Sequence, residues 1–244
     1  MTMNLKTNKG NEIIQLLSGR SNVFIIKHAS GGVVMVDSSV KHARRQLTWA
    51  LKQQKIDKIE YLILTHFDYD HAANANFIRN TAGARTVIHK SEAECLSKGV
   101  MEIPEGTNVV TDKLVAIARK INFTITVEPC QADIQIDDNF QLPGFEGIMI
   151  IHTPGHSKGS VSILVDDEIA LVGDTMVNVA LFKIFPPFAE DTLLLKQSWQ
   201  KLLATPCNTF LPSHGNAVNR NDLDIALQEL EKKLQSDTEP GQLY

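Results

Sequence analysis

Four side chains able to bind a metal fall within one short stretch, Thr65-His66-Phe67-Asp68-Tyr69-Asp70-His71: His66, Asp68, Asp70 and His71. Imidazole and carboxylate together suit a transition-metal centre. On a continuing strand, His66, Asp68 and Asp70 would share one face and His71 would oppose them. A loop lets all four converge, so a loop is expected here. Aspartate also populates solvated polar turns, and three further places weigh against that reading. Pro154-Gly155-His156-Ser157, Gly173-Asp174-Thr175 and Pro212-Ser213-His214-Gly215 each put a ligand-type residue just past an apolar run. Ligand sites gather at such strand ends in α/β folds.

The elements that must position these residues follow from the apolar patterning. Residues 13–17, 22–27 and 33–37 read as strands, the last two joined through Gly31-Gly32 as a hairpin. Residues 42–54 place Ala43, Leu47, Ala50 and Leu51 at helical spacing. Residues 61–65 form a short continuous apolar run, as in a strand buried on both faces, and lead straight into the first ligand group. Helices are expected at 72–80 and 91–97, with a strand at 86–89. Much of 99–140 reads as an insertion or peripheral layer, holding a helix at 111–120 and a strand at 122–128. A second strand-rich block follows at 147–153, 160–166 and 168–174, with a turn at Asp166-Asp167. A helix holding 199–204, a strand at 209–215 ending in a loop, a helix at 221–234 and a loose tail over 237–244 complete the chain.

One order of elements occurs twice. A hairpin ending in Asp37 is followed by a helix and a strand ending at His66; a hairpin ending in Asp174 is followed by a helical stretch and a strand ending at His214. Two such halves, sheets inside and helices outside, make an α/β fold of the αββα sandwich type, one domain over residues 1–244.

The bulk properties fit this picture. The chain has 244 residues, enough to bury a sizeable core. Its 43% hydrophobic and 21% charged composition is that of an ordinary soluble protein. A net charge of −4 gives no support to a nucleic-acid or membrane-surface partner. Three scattered cysteines, Cys95, Cys130 and Cys207, argue for buried small hydrophobes in a reducing, cytoplasmic setting rather than a disulfide framework. The N-terminus lacks the apolar segment of a signal peptide, and no apolar run is long enough to span a membrane.

With HFDYDH, PGHS, GDT and PSHG in this order, the chain resembles the metallo-β-lactamase superfamily over roughly residues 12 to 230. The resemblance implies a dinuclear centre. One metal would take His66, Asp68 and His156, the other Asp70, His71 and His214, with Asp174 bridging and Asp37 orienting a ligand. TPGHSKGS and LVGDT are most similar to the glyoxalase II-like branch. That branch implies a metal-dependent hydrolase of thioesters, esters or lactones, acting through metal-bound hydroxide, with Asp70 catalytic and a small-molecule substrate.

One position departs from the family's HxHxDH pattern: its second histidine is Asp68. A carboxylate there is a harder ligand than imidazole, shifting preference from zinc toward iron or manganese. Two divalent metal ions, zinc, iron or manganese, are therefore the expected cofactors. Asp68 also resembles the acidic residue of the flavodiiron proteins, whose motif is HxExDH. This supports an alternative, a di-iron protein that binds oxygen or reduces oxygen or nitric oxide, which would need a separate electron donor.

Other residues are open at this level. His28, His42, His89 and His152 lack a ligand context, although His89 and His152 end strands beside the motifs. Phe182, Phe185, Pro186, Pro187 and Phe188 are either a substrate-facing wall or a core or homo-oligomer contact. Lys158 would suit an anionic substrate or simply solvent. Tyr69 and Thr175 sit within motifs and would shape the site.

Overall fold

A computed structural model describes residues 3–101, 103–121, 123–179 and 184–238. The chain runs through β1 (Asn4–Lys6), β2 (Glu12–Leu17), β3 (Val23–Lys27), β4 (Val33–Val36), α1 (Arg44–Gln53), β5 (Tyr61–Ile63), the single-turn α2 (Tyr69–Ala72) and α3 (Ala75–Ala82). It continues with β6 (Arg85–His89), α4 (Ala93–Lys98), β7 (Val100–Met101), α5 (Val109–Lys120), β8 (Ile125–Thr126), β9 (Ile134–Ile136) and β10 (Phe140–Gln141). The last third holds β11 (Ile148–His152), β12 (Val161–Val165), β13 (Ile169–Gly173), α6 (Thr192–Ala204), β14 (Thr209–Pro212), β15 (Val218–Asn219) and α7 (Arg220–Thr238).

One sheet has the order β1-β2-β3-β4-β5-β6-β9 and the other β10-β11-β12-β13-β14-β15. Their facing sides share an apolar layer, with Ile13, Phe24, Val34 and Ile63 against Ile150, Ile163, Val165 and Leu171. The outer face of the first sheet (Ile14, Ile25, Met35, Leu62) packs on Leu47 and Leu51 of α1 and Ile78 of α3. The outer face of the second (Leu164, Ala170, Phe210) packs on Trp199 of α6 and Leu227 of α7. This is an αββα sandwich. Burial on both faces explains why the central strands read as continuous apolar runs. In α1 the apolar spacing works as read: Leu47, Ala50 and Leu51 are buried while Trp49 faces out.

The duplicated order is a duplicated pairing. β4 pairs in parallel with β5 across the α1 crossover, and β13 pairs in parallel with β14 across α6. Asp37 and Asp174 therefore leave neighbouring strand ends in the two sheets, as do His66 and His214. A Cβ on Gly173 would stand 2.8 Å from the Thr65 side chain, so the absent side chain lets the two edges that carry the candidate ligands approach. The amide of Val161 donates to Thr65 O across the same gap at 2.8 Å.

Several expectations change. Residues 72–80 are not one helix: Asp68 O accepts from His71 N and Ala72 N to close α2, and α3 starts after Asn74. Among the described residues of 122–128 only Ile125–Thr126 is a strand, paired with β7 alone; Ile125 and Val127 pack on the core while Phe123 stays exposed. Residues 99–140 are not wholly peripheral. β9 joins the first sheet beside β6, and β10 edges the second. The expected helix over 199–204 is there as part of α6, which extends back to Thr192, where the Asp191 carboxylate accepts from Leu193 N and Leu194 N. Asp237 and Thr238 belong to α7 rather than a loose tail; residues 239–244 lie outside the described residues, as does Phe182.

Candidate metal centre

All seven predicted ligand residues meet at one end of the sandwich. His66 to Asp68 form the expected loop after β5, while Asp70 and His71 sit on the helical turn α2. His156 is carried by the turn after β11, Asp174 follows β13, and His214 follows β14. The turn before His156 is fixed by close approach. A Cβ on Gly155 would stand 2.3 Å from Leu195 N, and the Gly155 φ of +134° is itself unfavourable to any side chain.

The ligand atoms fall into overlapping groups, each within 4.8 Å: His66, Asp68 and His156; Asp70, His71 and His214; and His66, His71 and Asp174. Asp68 Oδ2 lies 3.3 Å from His156 Nε2 and 3.5 Å from His66 Nε2. His214 Nε2 lies 3.1 Å from Asp70 Oδ2 and 3.3 Å from Asp174 Oδ2. His71 Nε2 lies 3.6 Å from Asp174 Oδ1.

Hydrogen bonds behind three imidazoles turn Nε2 inward. His66 Nδ1 lies 3.0 Å from Thr65 Oγ1, His156 Nδ1 2.9 Å from Phe188 O, and His71 Nδ1 2.8 Å from Asp37 Oδ2. Asp37 is itself fully buried and accepts from Thr65 N, Thr65 Oγ1 and Ser213 Oγ. An Nδ1–H anchored in this way leaves Nε2 as the donor atom for a metal. His66 Nε2, His71 Nε2 and Asp174 Oδ1 are buried and find no hydrogen-bond partner. Buried polar atoms are rarely left so, and here they converge with the remaining ligand-type atoms. The donor set fits divalent metal ions.

The electrostatics point the same way. Burial favours neutral Asp68, but the charges on His66 and His156 and the hydrogen bond from His156 hold its carboxyl far below the usual range. Burial works likewise on Asp174, and the His71 and His214 charges overcome it. Burial disfavours protonated His156, yet Asp68 and Asp174 push it up to about 9. Burial also opposes the charge on His214, which Asp174 and Asp70 push up to about 10. The carboxylates draw cationic charge to this spot, whether from protons on the histidines or from metal ions.

The remaining candidates separate. His28 is half-buried and His42 exposed, and neither joins the cluster; His28 bonds Ser30 and the Glu146 carbonyl. His89 and His152 stack on each other, centroids 4.1 Å apart, and do not join the ligand groups. Phe185 packs against Trp199 at 6.2 Å, whereas Pro187 and Phe188 line the cavity over the ligand residues. Tyr69 lines that cavity too, while Thr175 is buried against Thr153. Lys158 is exposed at the rim of a narrow cleft beside His156. Cys130 and Cys207 are buried.

Sequence reasoning missed Glu92. This buried carboxylate accepts from Phe67 N, between two ligand residues, and from Ser157 Oγ and Gly159 N, just after His156. It therefore ties both halves of one ligand group together. Its one local signal was an acidic residue at the start of an otherwise ordinary short helix.

A family model described as the metallo-beta-lactamase superfamily matches residues 18–214. An uncharacterized Mycobacterium leprae protein, ML0493, is 26% identical over 209 residues, covering 81% of this chain and 87% of its own. The probable metallo-hydrolase YflN of Bacillus subtilis is 24% identical, with 88% of each chain covered. Among solved structures, the subclass B3 metallo-beta-lactamase BJP-1 of Bradyrhizobium japonicum superposes with a TM-score of 0.65. The two share 16% identity over 97% of this chain and 92% of that one, a likeness of fold. No helix among the described residues is long and apolar enough to cross a membrane.

Proposed function

Because the chain belongs to the metallo-beta-lactamase superfamily, we propose that its seven-residue cluster holds two divalent metal ions and that the protein hydrolyses an acyl bond, in a thioester, ester or lactone. The observation that carries this reading is the convergence of the partnerless buried atoms His66 Nε2, His71 Nε2 and Asp174 Oδ1 with four more ligand-type side chains. His66, Asp68 and His156 would hold one ion; Asp70, His71 and His214 the other; Asp174 faces both groups. When bound, the ions would supply Lewis acidity, which polarises a carbonyl and acidifies water without a serine or cysteine nucleophile.

The chain's own groups supply orientation and proton handling. Asp37, Thr65 and the Phe188 carbonyl fix which nitrogen each imidazole presents. Asp70 is half-buried at the cavity edge, 3.1 Å from His214, where its Oδ2 can hold a proton in transit. Asp70 is thus the residue assigned to proton transfer. Hydrolysis of thioester, ester and lactone substrates by metal-loaded protein tests the reading, with Asp70→Ala as the control. Activity should collapse in that variant while its fold persists, and retained activity would overturn the assignment.

A second reading rests on Asp68, whose carboxylate sits between His66 and His156. It favours harder metals such as iron or manganese, and so a di-iron protein that binds or reduces oxygen or nitric oxide. Metal analysis of protein purified without added metal, with an absorption spectrum, separates the two. An oxygen-responsive di-iron spectrum supports the second reading; colourless zinc or manganese protein removes it.

A further inference from the structure

A cavity of about 730 Å³ opens over the cluster, with Asp68, Asp70, His156, Asp174 and His214 among its lining residues. The wall opposite is apolar: Met101, Ile103, Leu114, Val115, Phe123 and Ile125. All six come from the segment that reads in sequence as an insertion. Leu114 and Phe123 are 57% and 53% exposed, although apolar, and both line this cavity.

The wall is held in place. Helix α5 begins with a reciprocal cap between Asn108 and Thr111. The Thr107 hydroxyl and amide donate to the Pro186 and Pro187 carbonyls, at 2.9 and 3.2 Å. Ala189 N donates to Glu105 O at 3.1 Å. The α5 segment is thus bonded to the same loop whose Phe188 carbonyl orients His156. Among the described lining residues, every acidic or histidine side chain belongs to the ligand cluster, and Arg20 is the one other charge.

We infer that this trough is an acyl-chain subsite: the substrate carries an uncharged apolar chain of several carbons that lies along α5 while its reacting group meets the ligand cluster. The inference rests on the hydrolase reading for the reacting group, but the subsite stands on the wall itself. An apolar pocket with a few convergent polar groups is what binds such an amphiphile. A charged or strongly polar tail would lose its hydration against Leu114, Val115 and Phe123 without gaining a partner. A second copy of the chain could also cover an apolar wall. Continuity of the wall with the ligand cluster favours the chain of a substrate.

The test uses butanol, heptanol and decanol as neutral probes, titrated calorimetrically into protein as purified. Affinity should rise roughly fourfold per methylene, as burial of each CH₂ predicts. Leu114→Glu and Phe123→Ser change exposed positions, so folding should survive, and each should flatten the series. Chain-independent binding in wild type would overturn the subsite. So would a dimer in light scattering that Leu114→Glu converts to monomer. Acetyl, hexanoyl and decanoyl thioesters form the second arm, in which the decanoyl-to-acetyl ratio of kcat/KM should exceed one and fall in both variants. If no thioester, ester or lactone turns over but decanol discrimination holds, the hydrolase reading fails and the subsite stands. If turnover occurs with flat binding and a flat ratio, the subsite fails and the hydrolase stands.

Discussion

Asp37 Oδ2 lies 2.8 Å from His71 Nδ1, with both side chains fully buried. Among the described residues the carboxylate bonds no other ligand-type side chain; its further hydrogen-bond partners are Thr65 and Ser213, which precede His66 and His214. One buried charge thus sets the imidazole of His71 and braces the strand ends that carry two further histidines. Asp37→Asn should weaken metal binding by about 10- to 100-fold, the usual effect of losing such a partner. Chelator competition measures this, and unchanged affinity would show that Asp37 serves folding alone.

Removing Glu92 should act on the other ligand group. Glu92→Ala leaves the donors Phe67 N, Ser157 Oγ and Gly159 N without their acceptor. Stranding buried donors should cost about 2 kcal/mol in denaturant unfolding of metal-free protein. Metal retention should fall as well, because the loops bearing His66, Asp68 and His156 lose their tie. A variant that unfolds earlier yet binds metal as tightly as wild type would limit Glu92 to stability.

The pH dependence follows from His156, raised to about 9, and His214, raised to about 10, against an ordinary 6.5. A group whose pKa is raised by folding stabilises the fold fully below its unfolded value and loses that contribution as pH climbs through the folded one. For metal-free protein, this contribution should decline between about 6.5 and 10. Metal binding should run oppositely, strengthening over the same range as the imidazoles shed protons. Calorimetry in buffers of different ionisation heat should detect proton release at neutral pH. Zero release, or a metal-free melting temperature that climbs across this window, would contradict the charge state.

Asp68→His would replace a hard ligand beside His66 and His156 with a softer one. The variant should bind zinc more tightly relative to manganese than wild type does. Competition between the two ions reads this directly. An unchanged ratio would place Asp68 outside the coordination shell.

The sequence alone determined the candidate ligand types, their order and the strand ends that carry them. These are local signals: an apolar run, a turn and a ligand residue lie within a few positions of one another. The duplicated order of elements was legible for the same reason, and it survives as two parallel pairings, β4 with β5 and β13 with β14. Tertiary structure decided the rest. Glu92 meets Ser157 across 65 positions and Asp37 meets Ser213 across 176, separations at which no periodicity links the partners. Three-residue β9 is too short to carry a pattern, so only its pairing with β6 reveals it as a sheet strand. In α6, Leu193 and Leu194 are partly exposed, which blurs the apolar face that would have marked its first turns. The trough over the cluster likewise exists only because packing sets Leu114 and Phe123 opposite ligands from distant strand ends. Residue chemistry is local, but the orientation of an imidazole and the wall of a pocket depend on contacts that only the folded chain brings together.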